Sequence, residues 1–325
     1  MRCPVTQILW ILFSILFFYA SLQSADKIRI GYPGPAASFI PLQLARSNGF
    51  LRDEGFDAEI IQMAGNVPTT ALINGDIDYF TVIINGVRGA ILGLPLRVVA
   101  CYVPSNPVVL IVRPEFKSVR ELKGKTIGIQ SFGGAVQVQA SIILKHFGLD
   151  PEKDVKFLAT GDGTSRLAAM KQGLTAATMG SAPVDHLAAK MGFVVLAKGY
   201  ELFSYPNSGL VTTVKKIKER PDEVKKVIKA GIRATNYIRA NREGTIQFLM
   251  RQQKIDREIA AATYESVAKA FNEDGSVPED GLRLVIEEAK KSVKVDREVR
   301  FSEVTELAIL REAQKELGIK GEVGL

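Results

Sequence analysis

The alternation of short apolar runs with amphipathic ones is the feature that most narrows the folds open to this chain. From Lys27, "KIRIGY" reads as a strand, and Ser38 is placed to cap a helix through "FIPLQLARS", with Pro41 in its first turn and Gly49 at its end. "FDAEIIQ" follows as a strand, "VPTTALING" as a helix, "YFTVII" as a strand, "GVRGAIL" as a helix and "LRVVACYV" as a strand. The rhythm then restarts. "KTIGIQ", "DVKFLA", "AATMG" and "FVVLAK" are strands, and "GAVQVQASIILKHF", "SRLAAMKQG" and "PVDHLAAKMG" are the helices between them. Such alternation predicts mostly parallel sheet covered by helices. Asp57 and Asp154 occupy matching strands at the same separation as Leu96 and Phe193, so the pattern predicts two similar α/β lobes rather than one long sheet.

Two extended stretches, "PSNPVVLIVRP" and "NSGLVTTV", are predicted hinge strands between those lobes. On this reading residues 26–112 and 209–325 form the first lobe and 113–208 the second. From Lys215 the chain reads as consecutive amphipathic helices, punctuated by "RPDE", "ANREG" and "EDGSVPEDG", that pack back on the first lobe. A chain of 325 residues with 46% hydrophobic and 24% charged residues can fill two moderate cores.

The N-terminus carries an address. "MRCPVTQ" is a short basic start, "ILWILFSILFFYA" an unbroken apolar run, and "SLQSADK" offers small residues near Ser24 or Ala25 for a signal peptidase. A run of about 13 residues fits a secretory signal peptide, here residues 1–25, better than a spanning helix of about 20. Leu22 or Gln23 falls where a small residue is preferred, so an uncleaved membrane tether is the alternative. Cys3 precedes the apolar run and is no lipoprotein acceptor. Cleavage would leave Cys101 as the sole cysteine, a predicted core residue, and would remove Trp10, the only tryptophan. Stability would then come from packing, as in a large exported protein without disulfides.

The order and spacing of "PLQLARSNGFLRDEGFDAEII", "ALINGDIDYFTV", "SVRELKGKTIGIQ" and "RLAAMKQGLTAATMGSAPVDHLA" carry a family resemblance, spread from about Lys27 to about Tyr237. The chain resembles the solute-binding proteins of ABC importers for nitrate, alkanesulfonates, taurine and pyrimidine vitamin precursors. That resemblance implies a type II periplasmic-binding fold whose two lobes close over a small-molecule ligand like a clamp. It also implies a membrane permease and its ATPase as partners, and a monomer in the periplasm is expected.

Clefts in such sheets form at the carboxyl ends of strands. The loops there are "PGPAAS", "AGNVP", "NGV", "SFGGA", "GDGTS" and "GSAPVD", built from small residues that let a ligand approach backbone N–H groups. Helix starts at these loops favour an anionic or polar group. The candidate ligand-binding residues are Ser38 and Asn85 from the first lobe, with Ser131, Gly133, Gly134, Ala135 and Ser181 from the second. Gly133 and Gly134 could equally just make a sharp turn. Arg88 and Arg166 could pair with a carboxylate or sulfonate, although a surface position is the plainer reading for each. Tyr102, Asn106, Tyr205 and Asn207 could line the cleft near the hinges.

Other chemistries find little support. "LKGKTIGI" contains Gly-Lys-Thr, but a phosphate loop needs a glycine where Val119 stands and a helix where a strand follows. "GDGTSR" lacks the third glycine of a dinucleotide fingerprint. The two histidines, His146 and His186, have no metal spacing, Asp185 and His186 are adjacent rather than on one helical face, and no serine sits in a nucleophile elbow. The pyrimidine-synthesising relatives of the family carry a cysteine-rich motif that is absent. No cofactor is expected. The formal charge of +7 lies largely in segments such as "VKKIKERPDEVKKVIKAGIR", where interspersed acids indicate a solvated helix face rather than a nucleic-acid surface. The expectation is a non-enzymatic binding protein. An enzyme on the same fold, like those of the alternative menaquinone route, and a membrane-tethered ligand sensor are the alternatives. Sulfonate, nitrate, carboxylate and neutral heterocycles all suit the loops.

Overall fold

The structure, a computed structural model, describes residues 25–319 except 64–66, 106 and 204. The apolar N-terminal run, with Cys3 and Trp10, lies outside the described residues, as does Asn106. Among the described residues ten strands alternate with helices: β1 (Asp26–Tyr32), β2 (Phe56–Gln62), β3 (Tyr79–Val82), β4 (Leu96–Val103), β5 (Val109–Val112), β6 (Thr126–Ile129), β7 (Lys156–Ala159), β8 (Ala177–Gly180), β9 (Val194–Lys198) and β10 (Ser208–Thr213). They form two five-stranded sheets, ordered β2-β1-β3-β10-β4 and β7-β6-β8-β5-β9. The two orders are the same pattern, with β6 in the place of β1 and β5 in that of β10.

Each sheet is mixed rather than mostly parallel, because one antiparallel strand is inserted in each: β10 between β3 and β4, and β5 between β8 and β9. The reason is geometric. The other strands end at the cleft, so a strand arriving from the neighbouring lobe starts at the cleft and must run the opposite way. It follows that "VLIV" of β5, assigned from sequence to the first lobe by the boundary at residue 112, is hydrogen-bonded in the second sheet. The chain crosses between sheets at residues 104–108 and returns through 199–207.

Local sequence explains the layers. Alternate residues of a strand face opposite sides. Accordingly, Leu110 and Val112 pack on Ile143 and Leu144 of the helix Ala135–His146, while Val109 and Ile111 meet Leu167 and Met170 of the helix Gly163–Lys171. In the first sheet, Ile28, Ile30 and Val99 face Ile228 and Ile232 of the helix Pro221–Ala240, and Phe80 and Val98 face Val87 and the helix Glu279–Val293. The C-terminal helices therefore cover the first sheet. Cys101 is buried as a free thiol in this core, and burial pushes its ionisation up.

Two helix starts differ from expectation. Ser38 lies inside a short 3-10 turn, Ala37–Phe39, and the helix Ile40–Ser47 begins after it, so Ser38 caps nothing. The helix Ile83–Ile91 begins inside "YFTVII", which places Arg88 in its second turn rather than at its start. The helix Pro221–Ala240 starts on a proline with Asp222 and Glu223 in its first turn, as N–H groups without intrahelical partners favour. Glu223 is buried and accepts from Tyr79 Oη at 2.9 Å and Lys216 Nζ at 2.9 Å, and Lys216 also reaches Asp78 at 2.8 Å. This buried network ties the long helix to the first sheet.

Candidate ligand-binding cleft

Between the two sheets, at the carboxyl ends of β1, β3, β6 and β8, lies a cavity of about 90 Å³. Ser38, Asn85, Ser131, Gly134, Ala135 and Ser181 all line it, and so does Asn207 from the returning connection. Asn207 Nδ2 donates to Ser38 Oγ at 3.3 Å, and both side chains are buried. The helix Ala135–His146 opens onto the cavity, so Ala135 and Val136 present N–H groups that have no intrahelical acceptor.

Gly133 departs from the expectation. It is not among the residues lining the cavity, and its N–H is spent on Gln137 Oε1 at 2.6 Å. Its carbonyl accepts from Arg88 Nη1 at 2.5 Å, and its φ of 69° is the left-handed conformation that glycine adopts freely. The paired glycines thus divide the work: Gly134 faces the cavity, and Gly133 makes the turn. Tyr102 and Tyr205 do not line the cavity either, because both are packed into the core.

Arg166 decides the electrostatics. A surface position does not hold: only 6% of it is exposed, and it forms part of the cavity wall. Its Nε donates to Thr178 Oγ1 at 3.0 Å, Nη1 to the Gly161 carbonyl at 2.9 Å and Nη2 to the Met179 carbonyl at 3.3 Å. All three acceptors are neutral, and among the described residues no carboxylate lies within ion-pairing distance. Burial pulls its pKa down to about 10, against a smaller opposing effect from Asp162, so the guanidinium is charged at neutral pH. Two of its five N–H donors are not used by these bonds. Gln139, buried and one turn beyond Ala135, also lines the cavity, and its Nε2 has no hydrogen-bond partner in the protein. Sequence reading missed Gln139, although its i,i+4 spacing from Ala135 puts the two on one helical face.

The lobes are in contact across this cavity. Arg88, half-buried, reaches from the first lobe to Gly133 and also donates to Asn85 Oδ1 at 2.9 Å. Gln130 Nε2 donates to the Pro33 carbonyl at 3.2 Å, and the Ala37 N–H to the Ala182 carbonyl at 3.1 Å. Outside the cavity lining, Lys190 lies 3.6 Å from Asp256 and 3.4 Å from Glu258, and His186 Nε2 lies 2.9 Å from Ser266 Oγ. Neither His186 nor the exposed His146 lines the cavity. Replacing Arg88 by Ala removes one crossing bond. The expected result is an intact fold, a larger radius of gyration in X-ray scattering and roughly tenfold weaker ligand binding, the value of one charged hydrogen bond. Unchanged scattering and affinity would exclude a latch role.

Two matching α/β lobes closed over a shared cavity define the class: this is the type II periplasmic-binding-protein fold. The periplasmic aliphatic sulphonate binding protein SsuA from Escherichia coli superposes with a TM-score of 0.72 at 20% identity, over 86% of this chain and 92% of that one. The chain belongs to the NMT1/THI5-like family, whose model matches residues 36–244. Among curated relatives, the putative binding protein YtlA of Bacillus subtilis (strain 168) is 24% identical over 226 residues, 66% of this chain and 67% of that protein. The 4-amino-5-hydroxymethyl-2-methylpyrimidine phosphate synthase THI12 of Saccharomyces cerevisiae is 25% identical over 227 residues, 64% of this chain and 65% of its own length.

Proposed function

We propose that this chain is an exported solute-binding protein that captures a small anionic molecule between its lobes and delivers it to the permease of an ABC importer. The observation that carries the reading is Arg166, a buried cation in the wall of an interlobe cavity, with no carboxylate within ion-pairing distance among the described residues and two N–H donors left over from its bonds to the protein. An oxyanion would take those donors together with the helix start at Ala135 and the Gln139 amide. Ligand contacts to both lobes would stabilise the closed state over the open one. Ser38, Asn85, Ser131, Gly134, Ala135 and Ser181 are the proposed contacts, and Gly133 acts through its turn. The apolar N-terminal run supports export to the periplasm, and the binding-protein relatives support a transport role.

The synthase relative favours a second reading, catalysis in the same cleft. Such an enzyme would have to work without a cavity-lining histidine as its base. A thermal-shift screen of the purified protein against sulfonates, nitrate, carboxylates and pyrimidines tests the first reading. A ligand present at a hundred times its dissociation constant adds about 2.7 kcal/mol of stability. No shift with any of the four classes would sink the binding reading, and consumption of a bound pyrimidine would favour the enzyme.

A further inference from the structure

Past Arg166 the cleft continues into a second compartment of about 100 Å³. Its walls include the start of the helix Gly163–Lys171, Leu187 of the second lobe, and Gln253 with Ile255 from the C-terminal region. Gln253 ends the helix Arg242–Gln253, and Lys254, at φ 53°, then turns the chain toward the helix Arg257–Val267. Both polar atoms of the Gln253 amide, Nε2 and Oε1, are buried and meet no hydrogen-bond partner in the protein. Native proteins rarely leave both ends of a buried amide unmet, because each is costly to strip of water. Val184, Leu187 and Ile255 line the same compartment with apolar side chains, and Asp162, Thr164 and Arg166 with polar ones.

We propose that this compartment is a second ligand subsite, in which Gln253 pairs with a carboxamide or ureido group at the far end of the bound acid. The inference rests on the anion reading of Arg166 and names the class of ligand: a small acid whose other end is a neutral amide. Gln253 Nε2 donates to the carbonyl of that amide, and Oε1 accepts from its N–H, the pairing that an amide edge satisfies in one contact. Asp162 shares the compartment, and its Oδ1 already accepts from the Ser165 N–H at 2.9 Å. Its negative charge disfavours a second acid group beside it. Because Arg166 and Ser181 line both compartments, one elongated molecule can occupy the two together.

The test is calorimetric titration of the purified protein with chain-length series of ω-carboxamide acids (succinamate, glutaramate, adipamate), of unsubstituted alkyl acids and of ω-amino acids. Each series is run as carboxylates and as sulfonates, since Arg166 pairs with either. At the best length the amide acid is expected to bind about tenfold tighter than the alkyl acid of equal length. In Gln253→Leu that preference should fall to about one; Gln253→Met serves if the leucine variant does not fold. A wild-type preference near one at every length overturns the subsite, as would occur if only water fills it. So does tighter binding of the ω-amino acids, or a preference that survives the substitution. If no alkyl, amide or amino acid binds at all, the anion reading itself falls and takes the subsite with it.

Discussion

Replacing Arg166 by Gln is expected to weaken oxyanion binding at least about thirtyfold, read as the dissociation constant by calorimetry at fixed ionic strength. Removing one partner of a buried, hydrogen-bonded charge pair costs about 2–5 kcal/mol, and each 1.4 kcal/mol is a factor of ten. The loss should fall chiefly on the anion, because the substitution also removes a buried charge that has no carboxylate within ion-pairing distance among the described residues. Arg166→Lys keeps the charge but not the planar fork that reaches Thr178, Gly161 and Met179 at once, so an intermediate affinity is expected. A glutamine variant that binds sulfonate or carboxylate as tightly as the parent would end the anion reading. The pH dependence has a definite sign. Burial places the arginine near 10, below its ordinary value, so the unfolded chain keeps this proton over a pH range where the folded one releases it. Below that range the charge therefore costs the empty protein stability, and a bound anion offsets the cost. Affinity should stay level from about pH 6 to 9 and fall as the pH rises through about 10.

The largest effect on the fold itself is expected at Glu223. Glu223→Leu should lower stability by about 3 kcal/mol in urea titration with little change in slope, the scale for breaking a buried ion pair from one side. Tyr79 Oη would lose its acceptor while buried, and Lys216 would keep only Asp78. Burial alone would pull the Lys216 ammonium down, but its bonds to Asp78 and Glu223 outweigh this and leave it raised. Its stabilisation is thus in full force at neutral pH and is lost only as the pH climbs past the raised value. A loss below about 1 kcal/mol would mean that the network contributes no more than an exposed pair.

How far the sequence reads depends on the range of the interactions involved. Strands such as "FDAEIIQ" and "LRVVACYV" are legible to the residue because local periodicity sets them. "VLIV" is legible as a strand but not as a member of the second sheet. A run buried on both faces looks alike wherever it inserts, and only its pairing with β8 and β9 decides the matter. Most cleft residues were reachable because small polar residues after parallel strands mark the cleft. Arg166 was visible as a helix-start arginine, yet its burial depends on Thr178 and Met179 of a different strand. Gly133 failed as a donor because a side chain four residues on, Gln137, claims its N–H. Gln253 carries no local signal, since its place is set by how the C-terminal helices lie against the second lobe.

The inserted strands have a mechanical meaning. Val103 pairs with Ser208 in one sheet, and Val109 with Lys198 in the other, so the outgoing and returning chains run side by side on both banks of the crossing. Two adjacent tethers of this kind allow swinging about one line, like a door, and resist sliding or twisting. Displacement then grows with distance from that line. Asn207, at the pivot, would keep nearly the same place in open and shut forms, whereas the contacts of Lys190 and His186, outside the cavity lining, would travel furthest. A spectroscopic label pair there would therefore report opening with the greatest sensitivity, and one beside Asn207 would hardly register it.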